Sequence, residues 1–351
     1  MRRETISFMI RNVGMGSEYP VTVQSMTNTD SHDVEATLAQ VEQLAQLGAA
    51  LVRVAAPDMD AVPALAAVAK QSSVPIIADV HFDYKIAIAC LEQGVDAVRI
   101  NPGNIGGLEQ LGMVVEAAKK HDAAIRIGVN SGSIEKEFLE KYGHPCPEAM
   151  VESLEKYVAY CESLGFKKIV LSVKSSNVPM MIKVNEMVAE RFPYPLHLGV
   201  TEAGTVRMGT VKSSVGIGAL LAHGIGDTIR VSLTGDPANE LPVANGILKS
   251  LGLMEEGVDI ISCPTCGRTQ INLAALAEQV ENLCQPIKRP LKIAVMGCVV
   301  NGPGEAREAD LGIAGGRGAG IIFRKGEIVK KCHEEELLDA FKEELNKLLA
   351  E

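Results

Sequence analysis

Eight short β-branched runs, each followed by a stretch with helical spacing, constrain this chain more than any other feature. They are Val21–Met26, Ala50–Val54, Pro75–Val80, Val95–Ile100, Ala124–Val129, Lys168–Val173, Pro195–Val200 and Asp227–Val231. Their starts lie 20 to 44 residues apart, which leaves room for one crossover helix each. The runs are mostly apolar on both faces, as parallel strands covered on both sides are. In the first intervening stretch, Val34, Leu38, Val41, Leu44 and Leu47 recur at helical spacing and Gly48 supplies a stop. A doubly wound open sheet has the same alternation. A dinucleotide-binding sheet, however, would carry G-x-G-x-x-G after its first strand, and Thr27-Asn28-Thr29-Asp30 stands there instead. Eight units in so short a span predict an α/β fold closed as a TIM (β/α)8 barrel. With 4% aromatic residues and no Trp, the core must be packed by Val, Ile, Leu and Ala.

The 351 residues exceed one barrel. A boundary is expected near Leu251–Asp259, giving a substrate-binding barrel over residues 1–252 and a smaller α+β domain over 259–351. In the latter, Thr269 is expected to cap a helix running to about Cys284. Leu291–Met296 reads as a strand, and Ala319–Phe323 with Glu327–Val329 as a hairpin. The last helix, His333 to Leu349, sets Leu337, Leu338, Phe341, Leu345 and Leu348 on one stripe. The longest gap between strands holds residues 131–147, read as a long loop of the kind that forms lids. No apolar segment follows the first residues and no run of about 18 apolar residues occurs. The expectation is therefore a cytoplasmic protein with no membrane span.

Chemistry in such barrels sits at the C-terminal strand ends. Those ends carry Arg53; Asp79 and His81; Arg99 and Asn101; Arg126 and Asn130; Lys174; Thr201 and Glu202; Arg230 and Ser232. Five strand ends thus carry a cation, although residues 1–258 hold 22 basic and 30 acidic residues, a net of −8. The overall charge of −10 excludes a general nucleic-acid binder. Burying guanidinium groups is costly unless an anion meets them, and the planar fork of Arg suits phosphate oxygens. A small phosphorylated substrate follows, with Asp79, His81 and Glu202 as acid–base candidates. The plainer alternative is that each Arg pairs with a neighbouring carboxylate.

Five of the eight cysteines lie from Cys263 onward. Cys263 and Cys266 form a C-x-x-C pair, and Cys298 stands in a Gly-rich run, Met296 to Glu305, that lets backbone approach a bulky group. Three thiols leave a fourth position open to Cys284, Cys332, His333 or Glu305. Cys284 and Cys332 are read as core or surface thiols on helices. Spacing alone fits an iron–sulfur cluster and structural zinc equally well, and a C-x-x-C can also be a redox pair.

Val98–Asn104, Arg126–Gly132, Leu198–Gly204, Cys263–Arg268 and Gly297–Glu305, taken together and in order, resemble the bacterial 4-hydroxy-3-methylbut-2-enyl diphosphate synthases of the non-mevalonate isoprenoid pathway. The resemblance covers essentially the whole chain and matches the short, two-domain form. It implies a sulfite-reductase-like C-terminal domain and a [4Fe–4S] cluster on Cys263, Cys266, Cys298 and Glu305. It implies reductive ring opening and dehydration of 2-C-methyl-D-erythritol 2,4-cyclodiphosphate to (E)-4-hydroxy-3-methylbut-2-enyl diphosphate, with two electrons from flavodoxin or ferredoxin. It also implies a head-to-tail homodimer. Arg53, Arg99, Arg126, Lys174 and Arg230 would then neutralise the diphosphate, with Asn101, Asn130, Thr201 and Ser232 as hydrogen-bonding partners. Glu202 is the first choice as proton donor, ahead of Asp79 and His81. Two other readings compete: a phosphate-binding isomerase, aldolase or pterin-type synthase with a zinc module, and a redox sensor without enzymatic activity.

Overall fold

The computed structural model describes residues 2–101, 103–132, 134–298 and 306–351. The chain divides into two compact units, one ending at Met254 and the next beginning at Glu255.

All eight expected strands form, and all run parallel: β3 (Thr22–Met26), β4 (Leu51–Ala55), β5 (Ile76–Val80), β6 (Ala97–Ile100), β7 (Ala124–Asn130), β8 (Ile169–Lys174), β9 (His197–Leu198) and β10 (Thr228–Ile229). Their order is β8-β7-β6-β5-β4-β3-β10-β9, and a parallel bridge between Leu171 and Leu196 returns β9 to β8. The sheet therefore closes as a barrel. The last two ladders are shorter than their apolar runs. Beside them the Asp227 carboxylate, not a ladder carbonyl, accepts the Leu196 N–H at 2.9 Å.

The expected first helix is α1 (Val34–Gln46), capped by Asp33 and stopped at Gly48 with φ +104°. α2 (Val62–Gln71), α3 (Tyr84–Glu92) and α4 (Leu108–Lys120) follow the next three strands. The segment 131–147, expected to be a loop, contains α5 (Lys136–Tyr142) before α6 (Pro147–Ser163) begins. Its apolar Phe138, Leu139 and Tyr142 pack on the core, which is why it is helical. α7 (Val178–Arg191), α8 (Val206–Ala222) and α9 (Glu240–Ser250) complete the outer ring.

One element went unforeseen. β1 (Phe8–Ile10) and β2 (Val13–Met15) form an antiparallel hairpin ahead of the barrel. Ile10 and Met15 pack against Leu51, Ile77, Ala97, Ala124 and Val170, which point inward from five strands. This apolar plug seals the N-terminal end. Because side chains alternate along a strand, the next inward positions are Arg53, Asp79, Arg99, Arg126 and Ser172, followed by Lys174. In β4, β5, β6 and β7 the interior passes from apolar floor to charged mouth within two residues.

The C-terminal unit is a five-stranded sheet ordered β11 (Val258–Ser262), β12 (Leu291–Met296), β13 (Leu311–Gly316), β14 (Ala319–Arg324) and β15 (Glu327–His333). The first three strands are parallel and the last two antiparallel. α10 (Leu273–Cys284) and α11 (Leu337–Ala350) pack on it. Leu337, Phe341, Leu345 and Leu348 are buried as the stripe requires. Two expectations are corrected. Asn272, not Thr269, caps α10, because the Thr269 hydroxyl is engaged by the Cys266 N–H at 3.0 Å. Cys332 lies on β15 rather than on a helix, in strand-alternating Glu327–His333. Among the described residues, no helix is long and apolar enough to cross a membrane.

Candidate active site

The charged layer of the barrel is built by register. Asp79 lies beside Arg99, and Arg99 beside Arg126, on adjacent strands. Asp79 accepts from Arg99 at 3.1 Å and is 3.3 Å from Arg53. Burial alone would raise the Asp79 carboxyl. The facing guanidinium groups of Arg53, Arg99 and Arg126 and the His81 ring outweigh it and hold the group well below the carboxylate range. His81 Nε2 sits 3.4 Å away, on a side chain half open to solvent. Arg230 makes a two-pronged contact with Glu240, at 3.2 and 3.1 Å. Glu240 was not singled out from the sequence: it opens α9 and no strand-end rule points to it. Gln24, whose Oε1 accepts from Arg126, was legible as an inward position of β3 but was not given a role.

The plainer reading therefore holds for three of the five cations and fails for two. Arg126 and Lys174 have no carboxylate within ion-pair distance among the described residues. Both are buried. Burial, reinforced by neighbouring guanidinium groups, pushes each well below its usual range. Burial likewise brings Arg53 down to about 10, against the pull of Asp79. Among the described residues, the Nε atoms of Arg53 and Arg126 have no hydrogen-bond partner. Among the described residues, five basic side chains face two carboxylates, and the interior is short of negative charge. Gly128 makes space for this arrangement, since a Cβ there would lie 2.8 Å from Arg99 Nε.

Of the remaining candidates, Asn101 is buried just beyond β6 and Asn130 ends β7 at the same mouth. Thr201 and Ser232 are half-buried in the loops after β9 and β10. Glu202 is exposed and has a left-handed backbone with φ +51°. A non-glycine residue there is strained, and such strain concentrates at functional positions.

Removing the acid at the centre has a clear expected result. Asp79→Asn leaves Arg53 and Arg99 without a counter-charge and should destabilise the protein by about 3–5 kcal/mol. Chemical denaturation checks this; an unchanged midpoint would contradict the pairing.

In the C-terminal unit, Cys263 follows β11 directly and Cys298 lies two residues past β12. These strands are neighbours, with Ser262 opposite Val295, so both thiols leave the same end of the sheet. The Cys263 sulfur accepts the Gly297 N–H at 3.2 Å. A Cβ at Gly297 would lie 2.9 Å from Leu273 and 3.0 Å from Thr269, so the backbone approach depends on glycine. The Arg268 N–H and side chain, with Thr269, hold the exposed Cys266 thiol below its usual range. That favours the thiolate, the form that ligates metals. Burial pushes the Cys284 thiol up to about 11, as for an inert core cysteine. Among the described residues, no group of three His, Cys, Asp or Glu side chains could hold a metal ion. Glu305 lies outside the described residues. Thiol chemistry, sulfur-directed N–H groups and a common strand end fit a metal–sulfur centre.

Comparison with known proteins bears on both units. Residues 5–245 match the GcpE TIM-barrel domain and residues 259–347 the GcpE protein C-terminal domain. A 4-hydroxy-3-methylbut-2-en-1-yl diphosphate synthase (flavodoxin) of Caldanaerobacter subterraneus subsp. tengcongensis is 54% identical over 351 residues, covering 100% of this chain and 99% of that protein. The synthase of the same name from Clostridium perfringens is 55% identical, covering 96% and 97%. Among solved structures, the Yersinia pestis dihydropteroate synthase aligns with TM-score 0.50 at 14% identity, over 71% of this chain and 99% of that one. That likeness shows the barrel fold alone.

Proposed function

The chain belongs to the GcpE family, and on that premise we propose that the charged barrel mouth is its diphosphate site. The activity is that of a 4-hydroxy-3-methylbut-2-en-1-yl diphosphate synthase: 2-C-methyl-D-erythritol 2,4-cyclodiphosphate is opened with two electrons and loses water. The observation that carries the site assignment is the excess of basic side chains over carboxylates inside the barrel, with Arg126 and Lys174 lacking a carboxylate partner among the described residues. A bound diphosphate supplies the missing negative charge in a low-dielectric interior, where each contact is strong. The isomerase, aldolase or pterin-type alternative is not favoured, since identity near 54% spans the whole chain and the pterin enzyme shares only the barrel.

Arg53, Arg99, Arg126, Lys174 and Arg230 hold the diphosphate, and Asp79 and Glu240 hold three of those cations in place. Asn101, Asn130, Thr201 and Ser232 line the same mouth and offer hydrogen bonds. Cys263, Cys266 and Cys298, with Glu305, are the residues that would hold a [4Fe–4S] cluster. Such a cluster would supply single electrons for the reduction, with flavodoxin, the donor in the relatives' names, as their source. The departing oxygen needs a proton to leave as water. Glu202, exposed at the mouth on a strained backbone, is the first candidate to deliver it, with His81 and Asp79 behind it. Asp79 is the weakest of the three, because its ion pairs keep it ionised.

Glu202→Gln should keep diphosphate binding and lower turnover by about 10²-fold or more. Steady-state kinetics with a binding measurement checks this, and near-normal kcat would remove Glu202 from the role. The protein is further proposed to act in the cytoplasm as a head-to-tail homodimer, as the family resemblance implies. If two chains complete each site, mixing inactive Arg126→Met and Cys298→Ser chains should restore about a quarter of wild-type turnover. A mixture as dead as its parents would count against shared sites.

A further inference from the structure

Deep in the cation ring two bases meet without an acid between them. Lys174 closes β8 and His197 opens β9, and both are buried, the histidine fully. Lys174 Nζ and His197 Nε2 are 3.3 Å apart, while among the described residues His197 Nδ1 has no hydrogen-bond partner. Gly199 makes the room: a Cβ there would lie 2.9 Å from Nζ. The groups facing the pair are Arg53 from β4, Arg99 from β6, Arg126 from β7 and Arg230 after β10. The carboxylates of this layer, Asp79 on β5 and Glu240 on α9, are already engaged by Arg53, Arg99 and Arg230.

An N···N hydrogen bond needs one proton and one lone pair. Were Lys174 an ammonium, Nε2 would accept and the imidazole proton would sit on Nδ1, a buried N–H with no acceptor. The ammonium would itself lack a counter-ion. Were the imidazole proton on Nε2, Lys174 would supply the lone pair as a neutral amine, and neither cost arises. Burial and the surrounding guanidinium groups push both residues well below their usual ranges, in the same direction.

We propose that Lys174 is a neutral amine in the ligand-free barrel, held by the Nε2–H of His197, and takes one proton from solvent when a diphosphate enters. The new ammonium turns its donors to a phosphate oxygen, so binding is coupled to proton uptake and His197 is a positioning residue. This rests on the barrel mouth being the diphosphate site.

The test is calorimetric titration of the full chain with inorganic diphosphate in buffers of different ionisation enthalpy. The diphosphate's own ionisation is common to all variants, so differences are read. Wild type should take up about one proton more per site than Lys174→Met or Lys174→Arg, two variants of different bulk. His197→Leu should move the uptake profile to higher pH, and His197→Gln, which keeps an N–H donor, should restore it. Equal proton counts for wild type and Lys174→Met, with binding intact, overturn the coupling and leave the diphosphate site standing. Uptake that survives in Lys174→Met and vanishes in the His197 variants places the proton on the histidine and overturns the assignment to lysine. No binding of diphosphate by wild type overturns both readings.

Discussion

Arg126→Met should make the ligand-free protein more stable and weaken its binding of diphosphate by orders of magnitude. The side chain is buried, has no carboxylate partner and faces Arg53, Arg99 and Arg230. Its removal relieves repulsion and desolvation, and Met fills similar space. Replacing buried ion pairs or triads by well-packed apolar residues stabilises other proteins by up to about 1–4 kcal/mol; a gain at the lower end of that range is expected for this unpaired cation, a rise of a few degrees in Tm at ~2–4 °C per kcal/mol. If Arg126 gives the diphosphate two charge-assisted hydrogen bonds, at about 1.5–3 kcal/mol each, their loss should lower kcat/KM by ~10²–10⁴-fold. Thermal unfolding with and without diphosphate reads both effects. A variant that is less stable yet binds normally would show that Arg126 is structural.

The same electrostatics sets a pH dependence. Lys174 has a folded value below its unfolded one. Between the two, the unfolded chain holds a proton that the folded chain lacks, so stability rises with pH by about 1.4 kcal/mol per unit for that proton. The window opens at the depressed folded value and closes near the ordinary lysine value of about 10.4. Asp79 contributes in the usual acid sense: its stabilisation is complete above the carboxylate range and fades as pH falls through its lowered value.

Cys298→Ser should abolish turnover while leaving the barrel intact. If the three thiols hold the redox group, its loss removes the source of electrons, and activity should drop by at least about 10³-fold. Visible absorption of anaerobically reconstituted protein reports the cluster, and diphosphate binding reports the barrel. Retained colour and turnover would exclude Cys298 as a ligand. Cys284→Ser, by contrast, should change neither, because that thiol is packed in the core of the C-terminal unit.

The barrel was legible because its signal is periodic. Eight apolar runs and intervening helical stripes repeat, and the cations stand at inward positions of those runs. The hairpin at Phe8–Met15 was not legible, since three-residue strands have too few residues to show alternation. The strands Val258–Ser262 and Leu311–Gly316 were missed for different reasons. The first is largely open to solvent, and the second is rich in glycine. Within the site, Arg53, Arg99, Arg126, Lys174 and Arg230 followed from strand ends. Glu240 did not, because it reaches Arg230 from a helix and only the fold brings the two together. His197 lay in plain view inside a predicted strand, but its inward direction depends on register, which apolar runs leave undetermined.

Oxidation of reduced flavodoxin, when the anaerobically reconstituted protein is given 2-C-methyl-D-erythritol 2,4-cyclodiphosphate, tests whether the barrel cations serve the reaction. Substrate-dependent oxidation with formation of the linear hydroxybutenyl diphosphate is expected, lost in Arg126→Met although the cluster absorption is unchanged. Equal rates in wild type and Arg126→Met would contradict it.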